Sequence, residues 1–423
     1  MVSNLRHHSR VAWHRLSRRR LISGLAEGCI SDKLCGPLLP GHQHMQHQDN
    51  AGLPQIERYE TYLASDPDNG TLLGSVVDLC LAAGQPERAE KHVRVALTRK
   101  GQDPYLLSIL GHTLLAQQHW QSATELFEAL LARYPDAGLA YNFSLGCLWL
   151  GRWHEGWQAL APYVEGSAVR PAAASVTLAL RLLHRLGELG HARTLIQHFN
   201  DLLSQDAAFL GAASAVCLDG GDLEQALLLS EASLAHGRTV EALVVAGSIA
   251  LARTDVDAAV PLFQEALAAS GTEARAWAGL GMASMLRKDL PAAQLQFEKA
   301  VHYMPSHIGT WHLLAWARLY GGFLASATSA FQSALDLDHN FGESHGGMAV
   351  VQATAGQRSA AEASIARAIG LDNECLSARY AQMLLNGELH DSDRFHALAM
   401  RLLFSRGGTF GRSIGDIVQS YQD

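Results

Sequence analysis

Apolar and small side chains recur along this chain with a period of about 34 residues. One copy is marked by Ala293, Phe297, Ala300 and Pro305. The same residues return one period later and one period earlier, at Ala327, Phe331 and Ala334 and at Ala259, Phe263 and Ala266. Within each copy the apolar positions lie three and four residues apart, which is the spacing of a helix buried along one face. A short turn divides each copy, so the pattern predicts a series of helix pairs.

Nine complete copies cover residues 70–375. They begin near Gly70, Pro104, Ala137, Ala173, Ala207, Val240, Ala274, Ile308 and Gly342. A small residue at positions 8 and 20 of a copy allows close approach of the two helices, and an aromatic residue at position 24 fills the space beyond. A helix pair of this size cannot bury its own apolar faces, so we expect neighbouring copies to stack. Outside them we predict an arm at 1–50, half a copy at 51–69, a capping helix pair at 376–406 and a tail at 407–423.

The copy that begins at Ala274 resembles a tetratricopeptide repeat. Its matching residues are Trp277, Leu280, Gly281, Ala293, Phe297, Ala300 and Pro305. The resemblance extends over about residues 55–405, with departures at Gly156 and between Gly166 and Pro171. It implies an all-α fold, a right-handed α-solenoid of stacked antiparallel helix pairs. It also implies a concave face that holds a peptide or a partner protein, and it implies neither catalysis nor a cofactor.

In such a solenoid, positions 2, 5, 9, 12 and 13 of each first helix point inward. In the seventh and eighth copies we expect these residues to include Arg275, Met282, Met285, Leu286, His312, Trp316, Leu319 and Tyr320. Methionine suits adaptable contacts, and Trp and Tyr suit binding hot spots. All of these except Arg275 are therefore our candidate partner-binding residues. The alternative is that the solenoid closes on itself or that a terminal helix fills the groove.

The fourth copy carries a cationic group at its inward positions. Arg181, His184 and Arg185 could hold a carboxylate there. Asn142 is the one asparagine that matches those used by some family members to bind a peptide backbone, so no ladder of asparagines is present.

The cysteines indicate a reducing compartment. None of the six forms a C-x-x-C pair, and Cys80, Cys147 and Cys217 all stand at position 11 of their copies. We therefore expect buried free thiols, neither catalytic nor bound to a metal, and a cytoplasmic protein. No stretch is long and apolar enough to predict a membrane span.

The charge is unevenly distributed. The formal net charge is −8, yet residues 1–44 hold seven basic and two acidic residues, which leaves −13 on the rest. An acidic body is a poor partner for a phosphate backbone, so we expect no nucleic-acid binding by the repeats.

The arm itself leaves several interpretations open. The arginines between Arg15 and Arg20 favour a membrane or nucleic-acid tether, whereas a start of translation at Met45 would remove the arm altogether. His42, His44 and His47 are either a zinc or nickel site or a solvated linker. Our leading prediction is a non-catalytic scaffold that binds a protein or peptide. The alternatives are an accessory subunit of a glycosyl-transfer or envelope-polymer assembly, and an adaptor tethered through the arm.

Overall fold

The computed structural model describes residues 53–166 and 170–388, and all regular secondary structure in these ranges is α-helical. The chain divides into an N-terminal unit that ends at Val216 and a C-terminal unit that begins at Cys217. Among the described helices, none is long and apolar enough to span a membrane.

The N-terminal unit consists of helix pairs in sequence order. Its helices are α1 (Leu53–Ser65), α2 (Gly70–Ala82), α3 (Pro86–Lys100), α4 (Pro104–Ala116), α5 (Trp120–Arg133), α6 (Ala137–Leu150), α7 (Trp153–Val164), α8 (Ala173–Leu186), α9 (Leu189–Phe199) and most of α10 (Ala207–Asp219).

The C-terminal unit continues the same arrangement. Its helices after α10 are α11 (Leu223–His236), α12 (Val240–Ala252), α13 (Val256–Ala269), α14 (Ala274–Leu286), α15 (Leu290–Tyr303), α16 (Ile308–Tyr320), α17 (Leu324–Leu337), α18 (Gly342–Thr354), α19 (Arg358–Leu371) and α20 (Leu376–Asn386). From α2 to α18, each first helix begins at the residue from which the sequence period counts a copy. The second helix expected beyond α20 and the N-terminal arm lie outside the described residues.

Short polar side chains begin many of these helices. Asp103 accepts the backbone N–H groups of Tyr105 and Leu106 at 2.9 and 3.1 Å, and thereby caps α4. Asp255 and Asp289 cap α13 and α15 in the same way. Each cap supplies an acceptor for an N–H group that the helix itself leaves unpaired.

The turn inside every helix pair uses a left-handed residue at position 15. Six of the nine copies place glycine there, whereas Gln118, Thr254 and Lys288 adopt the same conformation with φ near 60°. Glycine reaches this region without steric cost, and a β-branched residue such as Thr254 reaches it at a penalty. The turn geometry therefore belongs to the repeat and is retained even where the side chain opposes it.

The core follows the predicted positions. Phe127, Phe263, Phe297 and Phe331, all at position 24, are completely buried. Their rings lie directly against helix backbones: a Cβ built on Gly281 would be 2.5 Å from Cε1 of Phe297. The small residue at position 8 thus makes room for the ring of the same repeat.

The three repeat thiols belong to this core, as predicted. Cys80 and Cys147 are fully buried, and Cys217 is 3% exposed. Burial raises the pKa of Cys80 to about 11 and that of Cys147 to about 12, so both thiols are protonated at neutral pH.

Candidate functional site

A groove runs along the first helices α2, α4 and α6 of the N-terminal unit. Its larger cavity has a volume of about 460 Å³. Positions 5, 9 and 12 of two successive repeats line it: Gly74, Asp78, Leu81, Ser108, His112 and Leu115. Ligand sites of proteins commonly measure about 300–1,000 Å³, so this cavity is large enough for a group of side chains.

A second cavity of about 380 Å³ adjoins the first. Four residues line both cavities, namely Tyr105, Ser108, His112 and Asn142. The second cavity extends toward Tyr134 and Asp136, which lie between α5 and α6. We call the two cavities together the N-terminal groove.

The floor of the N-terminal groove is apolar. Val77, Leu81, Ile109 and Leu115 line the larger cavity, and each is at least nine-tenths buried. Tyr105 and Tyr134 are 56% and 39% exposed, and the Arg133 guanidinium lies over the ring of Tyr134 at 5.4 Å. The groove therefore offers aliphatic contacts and the accessible ring of Tyr105.

Polar groups stand between the two cavities. The Asn142 side-chain amide donates a hydrogen bond to Nε2 of His112 at 2.8 Å. Desolvation lowers the pKa of His112, against the opposing influence of Asp78, so the imidazole is neutral at pH 7. The remaining amide oxygen of Asn142 and the Ser108 hydroxyl are the types of group that pair with a peptide backbone.

The charge in the N-terminal groove is negative. Asp78 lines the larger cavity and Asp136 the smaller one, and both residues are exposed. Asp136 also caps α6, accepting the N–H of Gly138 at 2.8 Å. Neither set of lining residues includes a lysine or an arginine.

The predicted partner-binding residues of the seventh and eighth repeats lie on α14 and α16. We call them the C-terminal patch, formed by Met282, Met285, Leu286, His312, Trp316, Leu319 and Tyr320. Leu286 is 40% exposed and Tyr320 59% exposed, and the rings of Trp316 and Tyr320 are 5.8 Å apart. The other apolar members are partly buried against the core of the C-terminal unit.

Two inward positions of these repeats have internal partners. Nε2 of His312 lies 2.7 Å from the hydroxyl of Ser344, and its ring packs 5.5 Å from that of Phe331. The expectation that Arg275 lines the face is wrong, because its side chain is 3% exposed and pairs with Asp219 at 3.1 Å. These contacts hold the partly buried His312 and the buried Arg275 against the C-terminal unit.

The last described helix covers part of the C-terminal patch. The first helix of a repeat, such as α14 or α16, packs mainly on the second helix of the repeat before it. By contrast, α20 packs mainly on α18, which is the first helix of the repeat before it. Trp316 and Leu319 contact the apolar cluster that α20 completes with Ala378 and Ala381. This end of the patch is therefore occupied by the chain itself.

Specific contacts hold α20 in this place. The carboxylate of Glu343 on α18 accepts the N–H groups of Leu376 and Ser377 at 2.9 and 3.3 Å. A Cβ built on Gly346 would lie 2.8 Å from the backbone nitrogen of Ala378, so the two helices are in direct backbone contact. A carboxylate at a helix N-terminus is favourable for both hydrogen bonding and the helix dipole.

The predicted cationic group of the fourth repeat lies on α8. Arg181, His184 and Arg185 are all partly buried, and the Arg185 guanidinium lies over the ring of Trp153 at 5.8 Å. None of the three lines the N-terminal groove.

The interpretation of the sequence missed the N-terminal groove, although the signal was present. In the seventh and eighth repeats, a positional rule gives the inward positions. The same rule, applied to the first and second repeats, gives Gly74, Asp78, Ser108 and His112.

Within the described residues, no cluster of three or more His, Cys, Asp or Glu side chains is arranged to hold a metal. The predicted His42, His44 and His47 cluster lies outside the described residues.

Comparisons with known proteins agree with this architecture. A family model described as tetratricopeptide repeat matches residues 110–154 and 244–303. No curated protein sequence matches the chain at a significant level.

Among solved structures, the chain is similar to one in the APC/C hetero-tetramer Cut9–Hcn1, with 14% identity and a TM-score of 0.58 over 79% of this chain and 65% of that one. It thus spans slightly less than two thirds of that chain's length. It is also similar to the human IFIT1 dimer with m7Gppp-AAAA, with 14% identity and a TM-score of 0.52 over 85% of this chain and 90% of that one. These likenesses establish the fold and confirm the predicted all-α solenoid.

The period, the helix pairs and the two matched segments together show that the chain carries tetratricopeptide repeats within an all-α solenoid.

Proposed function

We propose that the protein is a non-catalytic scaffold that binds an extended segment of a partner protein in the N-terminal groove. Its fold is typical of proteins that mediate protein–protein interactions. The observation that carries the proposal is the pair of adjoining cavities formed by first-helix residues of three successive repeats.

The lining of the N-terminal groove suits a segment of polypeptide. Apolar side chains of the segment would contact Val77, Ile109 and Leu115, which exclude water from the floor. Asn142 and Ser108 would pair with its backbone. Because both kinds of contact alternate along an extended chain, one segment can use the two cavities together.

The C-terminal patch is a second proposed contact surface. Leu286 and Tyr320 are exposed large hydrophobic residues beside the partly buried Met282 and Met285. Exposed apolar residues that cluster on a surface commonly mark interaction sites. With α20 covering the Trp316 end, we place the exposed part of this contact around Leu286 and Tyr320.

The N-terminal groove is tested by filling it. The full chain is immobilised and used to select from a phage-displayed library of random peptides, in parallel with the variant Ser108→Trp. Ser122→Trp is the matched control, because Ser122 is exposed on α5 and lines neither cavity. Far-UV circular dichroism and melting temperature establish that all three proteins are equally folded.

We expect peptide families that are enriched on the wild type and on Ser122→Trp but absent from Ser108→Trp. If Ser108→Trp fails to fold, Asn142→Ala replaces it, since that change removes polar atoms and adds no bulk. Identical selections on all folded variants would refute binding in the groove.

A further inference from the structure

We infer that the N-terminal groove selects basic–apolar segments, in which lysine or arginine residues alternate with aliphatic ones, from a separate partner protein. This inference rests on the proposed function, and it adds the chemical class of the ligand.

The first argument is the sign of the charge. Each of the two cavities contains one exposed carboxylate, Asp78 in the larger and Asp136 in the smaller. Among the described residues, Asp78 forms no ion pair. A cationic side chain in the groove would gain an opposite charge, whereas an acidic side chain or a terminal carboxylate would meet the like charge of the lining carboxylates.

The second argument is the aromatic lining. Tyr105 borders both cavities and is 56% exposed, whereas Tyr134, which borders the smaller cavity, already has the Arg133 guanidinium over its ring at 5.4 Å. A lysine ammonium or an arginine guanidinium over a tyrosine face is attracted by the ring electrons. Each cavity therefore combines one carboxylate with at least one accessible ring, and this combination favours a cation in both.

The third argument is the spacing of charged and apolar features. Asp78 lies on α2 directly beside the buried Val77, and the floor continues through Ile109 and Leu115. The polar pair of Asn142 and His112 separates this apolar part from the cavity that contains Asp136. A complementary segment carries a basic residue, then apolar residues with a hydrogen-bonding backbone, then a second basic residue.

The test uses the peptides enriched on the full chain and removed by Ser108→Trp. They are synthesised with a fluorophore, and their Kd values are measured by fluorescence anisotropy at two salt concentrations. We expect lysine or arginine within a few residues of an aliphatic residue in most enriched sequences. Asp78→Asn should weaken binding by about three- to tenfold, the effect of one partly exposed charge pair. Asp78→Lys should weaken it further, and added salt should reduce the difference between wild type and Asp78→Asn.

A matched substitution controls for net charge. Asp68→Asn removes an equal charge from the loop before α2, at a residue that lines neither cavity, and it should leave the Kd unchanged. Equal weakening by Asp68→Asn and Asp78→Asn would overturn the inference, because the whole acidic body would then attract the peptides.

The remaining outcomes separate the two proposals. Enriched peptides that are neutral or acidic, lost on Ser108→Trp but insensitive to Asp78→Asn, would overturn the basic–apolar class and leave the proposed function standing. Selections that do not differ between wild type and Ser108→Trp would overturn both. The arm of this chain, with Arg15, Leu16 and Arg18, has the same basic–apolar chemistry and is tested within the full chain. If a full-length variant with Arg15, Arg18, Arg19 and Arg20 replaced by glutamine binds the selected peptides about tenfold more tightly than the wild type, the arm occupies the groove and the assignment to a separate partner is wrong. Equal Kd values for the two proteins support a separate partner.

Discussion

The contact between Gly281 and Phe297 offers the sharpest test of the packing. Gly281 lies on α14, and the ring of Phe297 on α15 is completely buried against it. In the variant Gly281→Ala, the new methyl carbon would lie 2.5–2.8 Å from three ring atoms. Ordinary carbon–carbon contacts are about 3.5–4.0 Å, so either the ring or the helix has to move.

The magnitude follows from two opposing effects. Overpacking of a filled core costs about 1–3 kcal/mol. Replacement of glycine by alanine inside a helix stabilises the folded protein by about 1 kcal/mol, because alanine has the higher helix propensity. We therefore expect Gly281→Ala to lower the free energy of unfolding by up to about 2 kcal/mol.

A glycine in a helix whose Cβ position faces open space provides the control. At Gly370 on α19, an added methyl group would meet no atom within 4 Å, so Gly370→Ala should stabilise the protein by about 0.5–1 kcal/mol. The two substitutions make the same chemical change. Their effects on the free energy of unfolding should be opposite in sign only because Gly281 faces the phenylalanine ring.

The assay is urea unfolding followed by far-UV circular dichroism, with Phe297→Leu and the double variant included. Removal of the ring should make room for the methyl group. The double variant should therefore be more stable than the sum of the single effects by about 1 kcal/mol or more, as for other residues in direct contact. If Gly281→Ala stabilises the protein as Gly370→Ala does, the close contact between ring and backbone is refuted.

Three further predictions concern the turns, the histidines and the thiols. Thr254→Gly should raise the free energy of unfolding by about 1 kcal/mol, because Thr254 has a φ of 60°, and Asn in its place should give part of that gain in the same urea titration. Burial lowers the pKa of His312 from 6.5 to about 4. As the pH falls, the unfolded chain therefore binds a proton at this histidine before the folded protein does, and the folded protein loses stability between pH 6.5 and about pH 4. In unfolding titrations from pH 7 to pH 4.5, the wild type should therefore lose stability more steeply than His312→Gln; parallel pH profiles would contradict this burial. Cys80, Cys147 and Cys217 should react slowly with a thiol reagent in the native state, and mass spectrometry that finds them labelled as fast as in urea would show that they are not core residues.

Much of the fold was predictable because it depends on local spacing. Small residues at positions 8 and 20 and an aromatic residue at position 24 specify how two neighbouring helices pack, so the period alone gave the helix pairs. The left-handed residue at position 15 was less visible. Gln118, Thr254 and Lys288 adopt it because the helix pair requires that turn, although none of them favours it.

The location of the open groove was harder to predict, because it depends on long-range packing. The positional rule identified inward residues in every repeat. It could not indicate that α20 would pack against α18 and cover Trp316, since this depends on Glu343 meeting the N-terminus of α20 and on Gly346 admitting its backbone. Nor could it indicate that Arg275 would find Asp219, a buried partner 56 residues away in sequence. The N-terminal groove remains open because the described chain places no comparable helix across α2, α4 and α6.

The central claim, that the N-terminal groove is the binding site, is tested most directly by photo-crosslinking. A selected peptide that carries a benzophenone side chain is irradiated with the full chain, and the crosslinked residues are identified by mass spectrometry. We predict crosslinks to α2, α4 and α6, around Asp78, Ser108 and Asn142, and their loss in Ser108→Trp. Crosslinks confined to α14 and α16, and retained in Ser108→Trp, would contradict the account and assign binding to the C-terminal patch.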